Sequence, residues 1–288
     1  MIRILAPAKV NLTLRILRRR EDGYHEIESI VQKISFYDRI TLTERGEPGI
    51  HLTCSDPSLP DGPENLAYRA AQLVLESSPN RGRGIAIHLE KGIPHGAGLG
   101  GGSSDAAAVM MGLNTLWNLS LTRDDLTGMG QKIGSDIPLF FHPSPSLISG
   151  RGETVRPAPF LLNAVFVVVI PGFPISTKWA YSNFRLTKKH DNYTISGLYN
   201  RYAGGWLPSD QWQTLLVNDL EEAVTKSHPE IGRCREDLLR VGASASLMSG
   251  SGSAVFGLFK DPITARRATA QLMEDGKRKV KVAIPIFS

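Results

Sequence analysis

Alternating apolar and polar positions predict several strands in the first third of the chain. Within residues 2–17 every second side chain is apolar from Ala8 to Leu14, and Lys9 and Asn11 share the opposite face. A period of two is typical of a strand with one apolar side. The same alternation predicts further strands over residues 39–44, 50–54 and 85–90.

Apolar residues spaced three and four apart predict helices on both sides of a glycine-dense loop. One helix covers residues 65–76, and the loop follows at residues 92–102. The next helix, over residues 104–117, is apolar on nearly every side, so we expect it to be buried. A third, short helix begins with Thr122 and Asp125 as a capping pair and is interrupted at residues 134–138.

The second half mixes strands and helices without a regular strand–helix–strand alternation, which favours an α+β fold over a doubly wound sheet. A segment rich in glycine and proline at residues 150–159 indicates a boundary between one domain at residues 1–155 and another at residues 156–288. The strands predicted beyond it cover residues 164–170, 243–248, 254–260 and 280–287. The predicted helices cover residues 177–184, 209–226, 229–241 and 261–274.

Composition excludes several classes of protein. The 288 residues are 41% hydrophobic and 21% charged, which is typical of a globular protein and not of a disordered chain or a coiled coil. Cys54 and Cys234 lack a CxxC spacing, so we expect neither a disulfide framework nor a zinc finger. The longest apolar run, residues 164–170, is far too short to cross a bilayer, and no signal peptide is recognisable. We therefore expect a cytoplasmic protein without a membrane partner.

The formal net charge of +5 suits anionic small molecules as well as nucleic acid. Basic residues cluster at positions 15–20 and 277–281, but no nucleic-acid-binding motif accompanies them. We interpret both clusters as solvated ends of charged elements and expect no nucleic-acid partner.

The glycine-dense loop leads into a helix N-terminus, where the first amide groups have no intrahelical partners. Glycine lets a phosphate approach the backbone closely, and Ser103 and Ser104 add hydroxyl groups. This pattern predicts a polyphosphate-binding loop; the alternative is a flexible turn that merely tolerates glycine. The GxGxxG spacing of Gly96, Gly98 and Gly101 does not follow the first strand, as a dinucleotide-binding motif would, and the chain has no Gly-Lys-Ser/Thr triplet.

Three segments together resemble the GHMP kinase family. They are PAKVNL at residues 7–12, PHGAGLGGGSSD at residues 94–105 and SGSGSA at residues 249–254. The resemblance implies an α+β fold, with an N-terminal domain similar to ribosomal protein S5 domain 2 and a C-terminal ferredoxin-like domain. It also implies that ATP, accompanied by Mg²⁺, is the phosphate donor and binds with the substrate in a cleft between these domains.

Two shorter segments, GYHE at residues 23–26 and GSDIP at residues 134–138, resemble family members that act on a cytidine diphosphate ester. They imply phosphorylation of the 2-hydroxyl of CDP-methylerythritol, in non-mevalonate isoprenoid biosynthesis. Another small-molecule kinase of the family, such as homoserine or mevalonate kinase, and a non-catalytic sensor on the same fold are the alternatives. An aromatic pair that reads a nucleobase disfavours the first alternative, and an intact catalytic pair disfavours the second.

The resemblance implies that Asp136 is the catalytic base and Lys9 its partner. A base takes the proton of the attacking hydroxyl, and a lysine offsets the charge that develops on the γ-phosphate. From the residues alone, the alternatives are an ordinary turn aspartate and a lysine on a solvated strand face. Asn11 shares the strand face of Lys9 and is positioned to hold either Lys9 or the substrate hydroxyl.

The resemblance further implies that His25 reads the cytosine edge, and that Tyr24 and Tyr181 stack on the ring. Thr177 lies on the same predicted helix face as Tyr181, for which simple helix packing is the alternative. Asn65 is implied on the adenosine side, with a helix N-cap as the alternative. The predicted ATP-binding loop consists of Pro94, His95, Gly96, Ala97, Gly98, Leu99, Gly100, Gly101, Gly102, Ser103 and Ser104.

No histidine has the spacing of a zinc site, so we expect no structural metal. Mg²⁺ is expected to arrive with ATP, and Ser103 and Ser104 are its candidate protein ligands. Alanines follow Asp105 where some relatives place a Mg²⁺-binding glutamate. We expect the protein to be a monomer or a weak homodimer.

Overall fold

The structure, a computed structural model, describes residues 1–77, 82–158, 160–185, 205–274, 276 and 278–288. These residues form two compact units, each assembled from several segments of the chain. Unit 1 comprises Met1–Ala8, Phe36–Pro94 and Gly100–His142. Unit 2 comprises Lys9–Ser35, His95–Leu99 and Pro143–Ser288. The domain boundary near residue 155 stays a prediction, and Lys277 of the basic cluster lies outside the described residues.

Strands β1 (Ile2–Arg19) and β2 (His25–Arg45) each continue from one unit into the other. In unit 1 the second part of β2 pairs antiparallel with β4 (Gly84–Glu90), which pairs parallel with β3 (Gly49–Cys54). The strands predicted over residues 39–44, 50–54 and 85–90 are confirmed. β2 is much longer than the strand predicted over residues 39–44. The rest of it was not predicted because buried polar residues, Gln32 and Lys33 among them, interrupt the alternation of apolar and polar positions.

The helices of unit 1 are α1 (Leu66–Ser77), α2 (Gly101–Leu116) and α3 (Arg123–Gln131). Helix α1 packs against α2, whose residues 104–110 are all buried, as its uniformly apolar sequence predicts. Helix α2 begins at Gly101 and not at Ser104, because Gly101 and Gly102 adopt helical geometry after a left-handed Gly100. Thr122 and Asp125 form the predicted capping box at the start of α3.

Unit 2 contains an antiparallel sheet of β8 (Val165–Ile170), β11 (Ala245–Met248), β12 (Val255–Phe259) and β13 (Lys279–Ala283). The strand order in this sheet is β11–β12–β8–β13. Helix α7 (Pro229–Arg240) precedes β11, and α8 (Pro262–Met273) joins β12 to β13. The chain order βαββαβ with this strand order is the ferredoxin-like arrangement that we expected of the C-terminal domain.

Short strands complete unit 2 around the second part of β1 and the first part of β2. Residue Thr13 of β1 pairs with β10 (Val217–Asn218), while β2 pairs with β5 (Ser146–Gly150) and β14 (Pro285–Ile286). Strand β5 also pairs with β6 (Thr154–Pro157), and β7 (Phe160–Leu161) pairs with β9 (Gly205–Trp206). The remaining helices are α4 (Thr177–Asn183), α5 (Trp212–Leu215) and α6 (Glu221–Ser227), with 3₁₀ turns at Pro138–Phe141 in unit 1 and Ser209–Gln211 in unit 2.

Two predictions about elements are wrong. The helix expected over residues 209–226 is broken, because the side chains of Asn218 and Asp219 bind backbone groups of other segments. The last expected strand, residues 280–287, is divided into β13 and β14 at Ile284. Strand β6 and the last residue of β5 lie within residues 150–159, the segment for which we predicted a domain boundary. None of the helices among the described residues is long and apolar enough to span a membrane.

Candidate active site

In the glycine-dense loop, the candidate binding site for phosphate, every second residue from Gly96 to Gly100 is a glycine with left-handed backbone. Gly96, Gly98 and Gly100 have φ angles of 65°, 74° and 70°. At Gly98 a Cβ atom would lie 2.1 Å from the carbonyl oxygen of Ser249, so no larger residue fits without a shift of the backbone. Alternation of right- and left-handed residues turns successive N–H groups towards one concave side, which is how backbone nests bind anions.

The carbonyl groups of four consecutive loop residues are all held by other parts of unit 2. The oxygens of Gly96 and Ala97 accept hydrogen bonds from the amides of Ile175, at 3.0 Å, and Ala254, at 3.1 Å. The oxygen of Gly98 accepts from the hydroxyl of Ser249 at 3.0 Å. The oxygen of Leu99 accepts from the amide of Lys9 at 2.9 Å. These bonds direct the carbonyl groups into the protein, which leaves the opposite side of the loop to amide donors.

Helix α2 begins in unit 1 immediately after this loop. Its N-cap, Gly100, offers no side chain to the first amides of the helix, so they are available to an anion. The hydroxyl of Ser104 in the first turn is buried and has no hydrogen-bond partner among the described residues. An open helix N-terminus with an unsatisfied buried hydroxyl fits a phosphate group, or a Mg²⁺ ion that arrives with one.

Lys9 and Asn11 lie together on β1, within unit 2. The lysine is 6% exposed, so the solvated strand face that we considered for it is wrong. Its ammonium group donates a 2.6 Å hydrogen bond to Oδ1 of Asn11, and the amide group of Asn11 donates to the hydroxyl of Ser29. The position of the Lys9 ammonium is therefore set by a second buried side chain, which is itself oriented by a third.

The turn at residues 249–253 packs on this pair. The hydroxyl of Ser249 accepts from the backbone N–H of Asn11 at 3.3 Å while it donates to the carbonyl oxygen of Gly98. A Cβ atom at Gly250 would lie 3.1 Å from Oδ1 of Asn11 and 3.3 Å from Nζ of Lys9. Ser249 and Gly250 were not among the predicted site residues, although they open the third segment that resembles the family.

Asp136, the candidate base, lies in unit 1 in a turn between α3 and the 3₁₀ helix at Pro138–Phe141. It is half-buried, whereas Ile137 and Pro138 beside it are buried. The non-helical backbone that Gly134 and Pro138 predict is thus confirmed. A carboxylate on such a turn is fixed by its buried neighbours and keeps one side accessible.

Aromatic side chains gather around His25 in unit 2. Its imidazole stacks on Tyr181, with ring centroids 5.3 Å apart and planes at 30°. Phe184 lies edge-on to it, with ring centroids 6.4 Å apart. Burial lowers the pKa of His25, and the charge of Arg19 lowers it further. Phe184 was not predicted; it lies three residues after Tyr181, one turn further along the same segment.

The other predicted binding residues are placed as follows. Tyr24 is 57% exposed, and the guanidinium of Arg151 lies 5.0 Å from its ring centre. The hydroxyl of Thr177 lies 3.1 Å from that of Ser251, so the start of α4 contacts the turn at residues 249–253, the Gly/Ser turn. The side chain of Asn65 accepts from the amide of Ala67 at 2.9 Å, so Asn65 caps α1.

Unit 1 contains a buried charged cluster that was not predicted from the sequence. The ammonium group of Lys91, next to the start of the loop, contacts the carboxylates of Asp38 and Asp105. Burial lowers the pKa of Lys91, but the two carboxylates outweigh it, and the pKa lies above its ordinary value. Burial, opposed by Lys91 and reinforced by Asp38, raises the pKa of Asp105 to about 7. Sequence reasoning missed the cluster because its members are 53 and 14 residues apart.

The described residues contain no group of three or more histidine, cysteine, aspartate or glutamate side chains that could hold a metal ion. Ser103 and Ser104 therefore remain the candidate protein contacts to an ion that phosphate oxygens carry in.

Comparison with known proteins places this geometry in a family. The family models for the GHMP kinases N terminal domain and the GHMP kinases C terminal domain match residues 65–143 and 208–278. A protein of Syntrophotalea carbinolica named 4-diphosphocytidyl-2-C-methyl-D-erythritol kinase is 44% identical over 268 residues, which is 93% of both chains. A protein of the same name from Geobacter sp. is 43% identical over 94% of both chains.

Solved structures of proteins from the same family resemble this chain. A crystal structure of 4-(cytidine 5'-diphospho)-2C-methyl-D-erythritol kinase matches with a TM-score of 0.82 and 35% identity, and each chain is covered completely. Homoserine kinase from Cytophaga hutchinsonii shares the fold, with a TM-score of 0.76 at 18% identity, and covers 99% of this chain and 95% of its own. The chain therefore belongs to the GHMP kinase family, in the group of proteins named 4-diphosphocytidyl-2-C-methyl-D-erythritol kinase.

Proposed function

We propose that this chain transfers the γ-phosphate of ATP to the 2-hydroxyl of 4-diphosphocytidyl-2-C-methyl-D-erythritol, which yields the 2-phosphate and ADP in non-mevalonate isoprenoid biosynthesis. The observation that carries the proposal is the loop at residues 96–99, whose four carbonyl groups are all turned into unit 2. Near-complete coverage by relatives of that name supports the choice of acceptor.

Phosphoryl transfer requires positioning and charge neutralisation more than covalent chemistry. In this proposal the amides of the glycine loop and of the first turn of α2 bind the triphosphate of ATP. Lys9, held by Asn11, stabilises the charge that develops on the transferred phosphoryl group. Asp136 accepts the proton of the attacking 2-hydroxyl. Meanwhile the hydroxyl oxygen bonds to the γ-phosphorus, and the bond between that phosphorus and the leaving oxygen of ADP breaks.

Ser104 fits a Mg²⁺ ion bound to the triphosphate, because its hydroxyl is buried in the first turn of α2 without a partner in the described part of the chain. Ser103 is the second candidate contact. When bound, such an ion supplies positive charge that offsets the phosphate oxygens.

In this proposal His25 gives the enzyme its specificity for the acceptor. Its lowered pKa favours the neutral imidazole, which has one donor and one acceptor nitrogen for the edge of cytosine. Tyr24 and Tyr181 supply the stacking surfaces, Thr177 and Asn11 supply polar contacts to the acceptor, and Asn65 contributes to the adenosine side. These roles extend to this chain what the family resemblance implies.

We further propose that the enzyme acts in the cytoplasm as a monomer or a weak homodimer, with domains at residues 1–155 and 156–288. No disulfide joins Cys54 and Cys234, as is usual in a reducing compartment. Sedimentation over a range of protein concentrations would measure the oligomeric state.

A coupled assay of ADP release with four acceptors tests the function. The acceptors are 4-diphosphocytidyl-2-C-methyl-D-erythritol, homoserine, mevalonate and galactose, and we expect turnover with the first alone. Phosphorus NMR of the product then locates the new phosphate ester on the 2-hydroxyl. Equal or faster turnover of another acceptor would reject the assignment, and ATP binding without turnover of any of the four would indicate a sensor.

A further inference from the structure

The two ends of the glycine loop meet at the buried cluster of Asp38, Lys91 and Asp105. The loop leaves β4 at Lys91, and it enters α2 at Gly101, one turn before Asp105. The side chains are almost completely withdrawn from solvent: 7% of Lys91, 4% of Asp105 and none of Asp38 is exposed. Burial of an ammonium group together with two carboxyl groups is costly even when they are paired, so an apolar core alone does not account for the cluster.

Asp38 holds the first end of the loop. One of its carboxylate oxygens accepts hydrogen bonds from the amides of Gly92, at 2.6 Å, and Ile93, at 2.8 Å. Its other oxygen contacts the Lys91 ammonium. The amide of Lys91 is also fixed, because it donates to the hydroxyl of Ser55 at 2.9 Å. Three successive residues at this end are thus held through their backbone amides.

Lys91 connects this end to the second one. Its ammonium lies 2.5 Å from Oδ2 of Asp105, in the second turn of α2. The first residue of that helix packs on the same cluster, since a Cβ atom at Gly101 would lie 3.3 Å from Oδ2 of Asp38. Lys91 therefore spans the base of the loop, from the residues that start it to the helix that ends it.

We propose that Lys91 is a positioning residue for ATP: by joining Asp38 to Asp105 it fixes the distance between the two ends of the glycine loop and so places the amides that bind the triphosphate. The inference rests on the proposed function for the identity of the ligand. It adds a residue that does not touch the nucleotide phosphates and acts on them through the backbone. Displacement of reacting groups by about 1 Å can lower a rate about 100-fold, so a small change in this spacing is sufficient to matter.

Three variants separate positioning from a merely structural role. Lys91→Met removes the whole connection, and Asp105→Ala removes its second half while Lys91 and Asp38 stay paired. Asp105→Asn keeps an oxygen acceptor for Lys91 and serves as the conservative rescue. The matched control is Arg39→Met, since the exposed pair Arg39–Glu90 lies one residue further along the same two strands, with its charged groups 3.8 Å apart.

The measurements are the affinity for a non-hydrolysable ATP analogue without acceptor, hydrogen exchange of the amides at residues 101–104 in the nucleotide-free protein, and KM for each substrate, all per folded molecule. We expect Lys91→Met and Asp105→Ala to bind the analogue about 10- to 100-fold more weakly, with faster exchange and a lower kcat. The KM for the acceptor alcohol should change less than threefold. Asp105→Asn and Arg39→Met should bind the analogue within threefold of the parent protein.

The proposal is overturned if folded Asp105→Ala binds the analogue as tightly as the parent protein does. It is also overturned if Asp105→Ala and Asp105→Asn lose the same large factor in affinity for the analogue, or if the KM values for ATP and for the acceptor rise equally. If Lys91→Met does not fold, the comparison of Asp105→Ala with Asp105→Asn decides. Because the analogue is measured without an acceptor, a wrong acceptor would abolish turnover by the parent protein and leave this comparison intact.

Discussion

The backbone amide of Lys9 donates a 2.9 Å hydrogen bond to the carbonyl oxygen of Leu99. The strand that presents the catalytic lysine candidate is thereby bonded directly to the loop proposed to hold the triphosphate. Because this bond uses the backbone, it survives a change of the Lys9 side chain. Loop position and ammonium charge can therefore be varied independently.

Lys9→Met should separate these two contributions. We expect kcat to fall about 100- to 1000-fold, because charge on the transferred phosphoryl group is no longer offset. Affinity for a non-hydrolysable ATP analogue should stay within a few fold, since the amide still anchors the loop. Single-turnover rates and calorimetric titration with the analogue measure the two quantities. An unchanged kcat would remove Lys9 from the catalytic assignment.

Asp136→Asn should remove the proposed base with little change of shape. The expected loss of kcat is about 100- to 10,000-fold, the usual contribution of general base catalysis. Nucleotide affinity should change little, because the loop and α2 are untouched. Asp124→Asn, at an exposed position on α3, is the matched control and should behave like the parent protein. Comparable rates for both variants would show that Asp136 is not the base.

Gly98→Ala should damage ATP binding through a specific clash. A Cβ atom there would lie 2.1 Å from the oxygen of Ser249, at a φ of +74°. Left-handed backbone costs about 1–2 kcal/mol for a residue with a side chain. Gly172→Ala is the control, because Gly172 has a φ of +79° and nothing within 4 Å of its Cβ position.

Both alanine variants should therefore lose some stability in thermal unfolding. Only Gly98→Ala should raise the KM for ATP, and we expect at least a tenfold increase, in line with the effect of displaced binding groups. Equal KM values for the two variants would mean that the loop at Gly98 does not bind the nucleotide.

His25 should titrate below its ordinary pKa of 6.5, mainly because burial disfavours its charged form and also because Arg19 is cationic. With a lowered pKa in the folded protein, the unfolded chain takes up the proton first as pH falls. The contribution of His25 to stability is therefore present above pH 6.5 and is lost as pH falls through the folded pKa. NMR titration of the imidazole, assigned with His25→Asn, measures this pKa.

Arg19→Gln offers a second check on the same group. Removal of the exposed cation should raise the pKa of His25, and salt should diminish the difference between the variant and the parent protein. Acceptor affinity should weaken at low pH in parallel with protonation of His25. A pKa above 6.5 in the parent protein would contradict both expectations.

Local patterns in the sequence predicted those parts of the site that depend on few neighbouring residues. The glycine loop, the turn at Asp136 and the capping box of α3 were recognisable because each is determined by adjacent residues. The buried state of Lys9 was not, since Asn11, Ser29 and the turn at Ser249 supply its surroundings from distant segments. For the same reason Phe184 and the pairing of Asn218 with the Gly/Ser turn escaped prediction.

The Asp38–Lys91–Asp105 cluster shows that limit most clearly, and it yields a prediction about pH. Each residue alone resembles an ordinary charged position at the end of an element. Burial, reinforced by Asp38 and opposed by Lys91, raises the pKa of Asp105 from an ordinary 3.8 to about 7. A raised pKa means that the folded protein holds the proton more tightly than the unfolded chain. The contribution of Asp105 to stability is therefore fully present below pH 3.8 and is lost as pH rises towards 7.

Asp105→Asn lacks this titration, because its amide cannot ionise. The unfolding free energy of the parent protein, relative to that of Asp105→Asn, should fall as pH rises from about 4 to about 7 and level off above it. Chemical denaturation of both proteins at several pH values measures the difference. Lys91 and Asp38 act on the pKa of Asp105, and burial and, in turn, the charge of Asp105 raise the pKa of the Cys54 thiol. Repeating the comparison in a Cys54→Ala background therefore excludes the thiol as the source. A difference independent of pH would mean that Asp105 is ionised throughout, with Lys91 balancing both carboxylates.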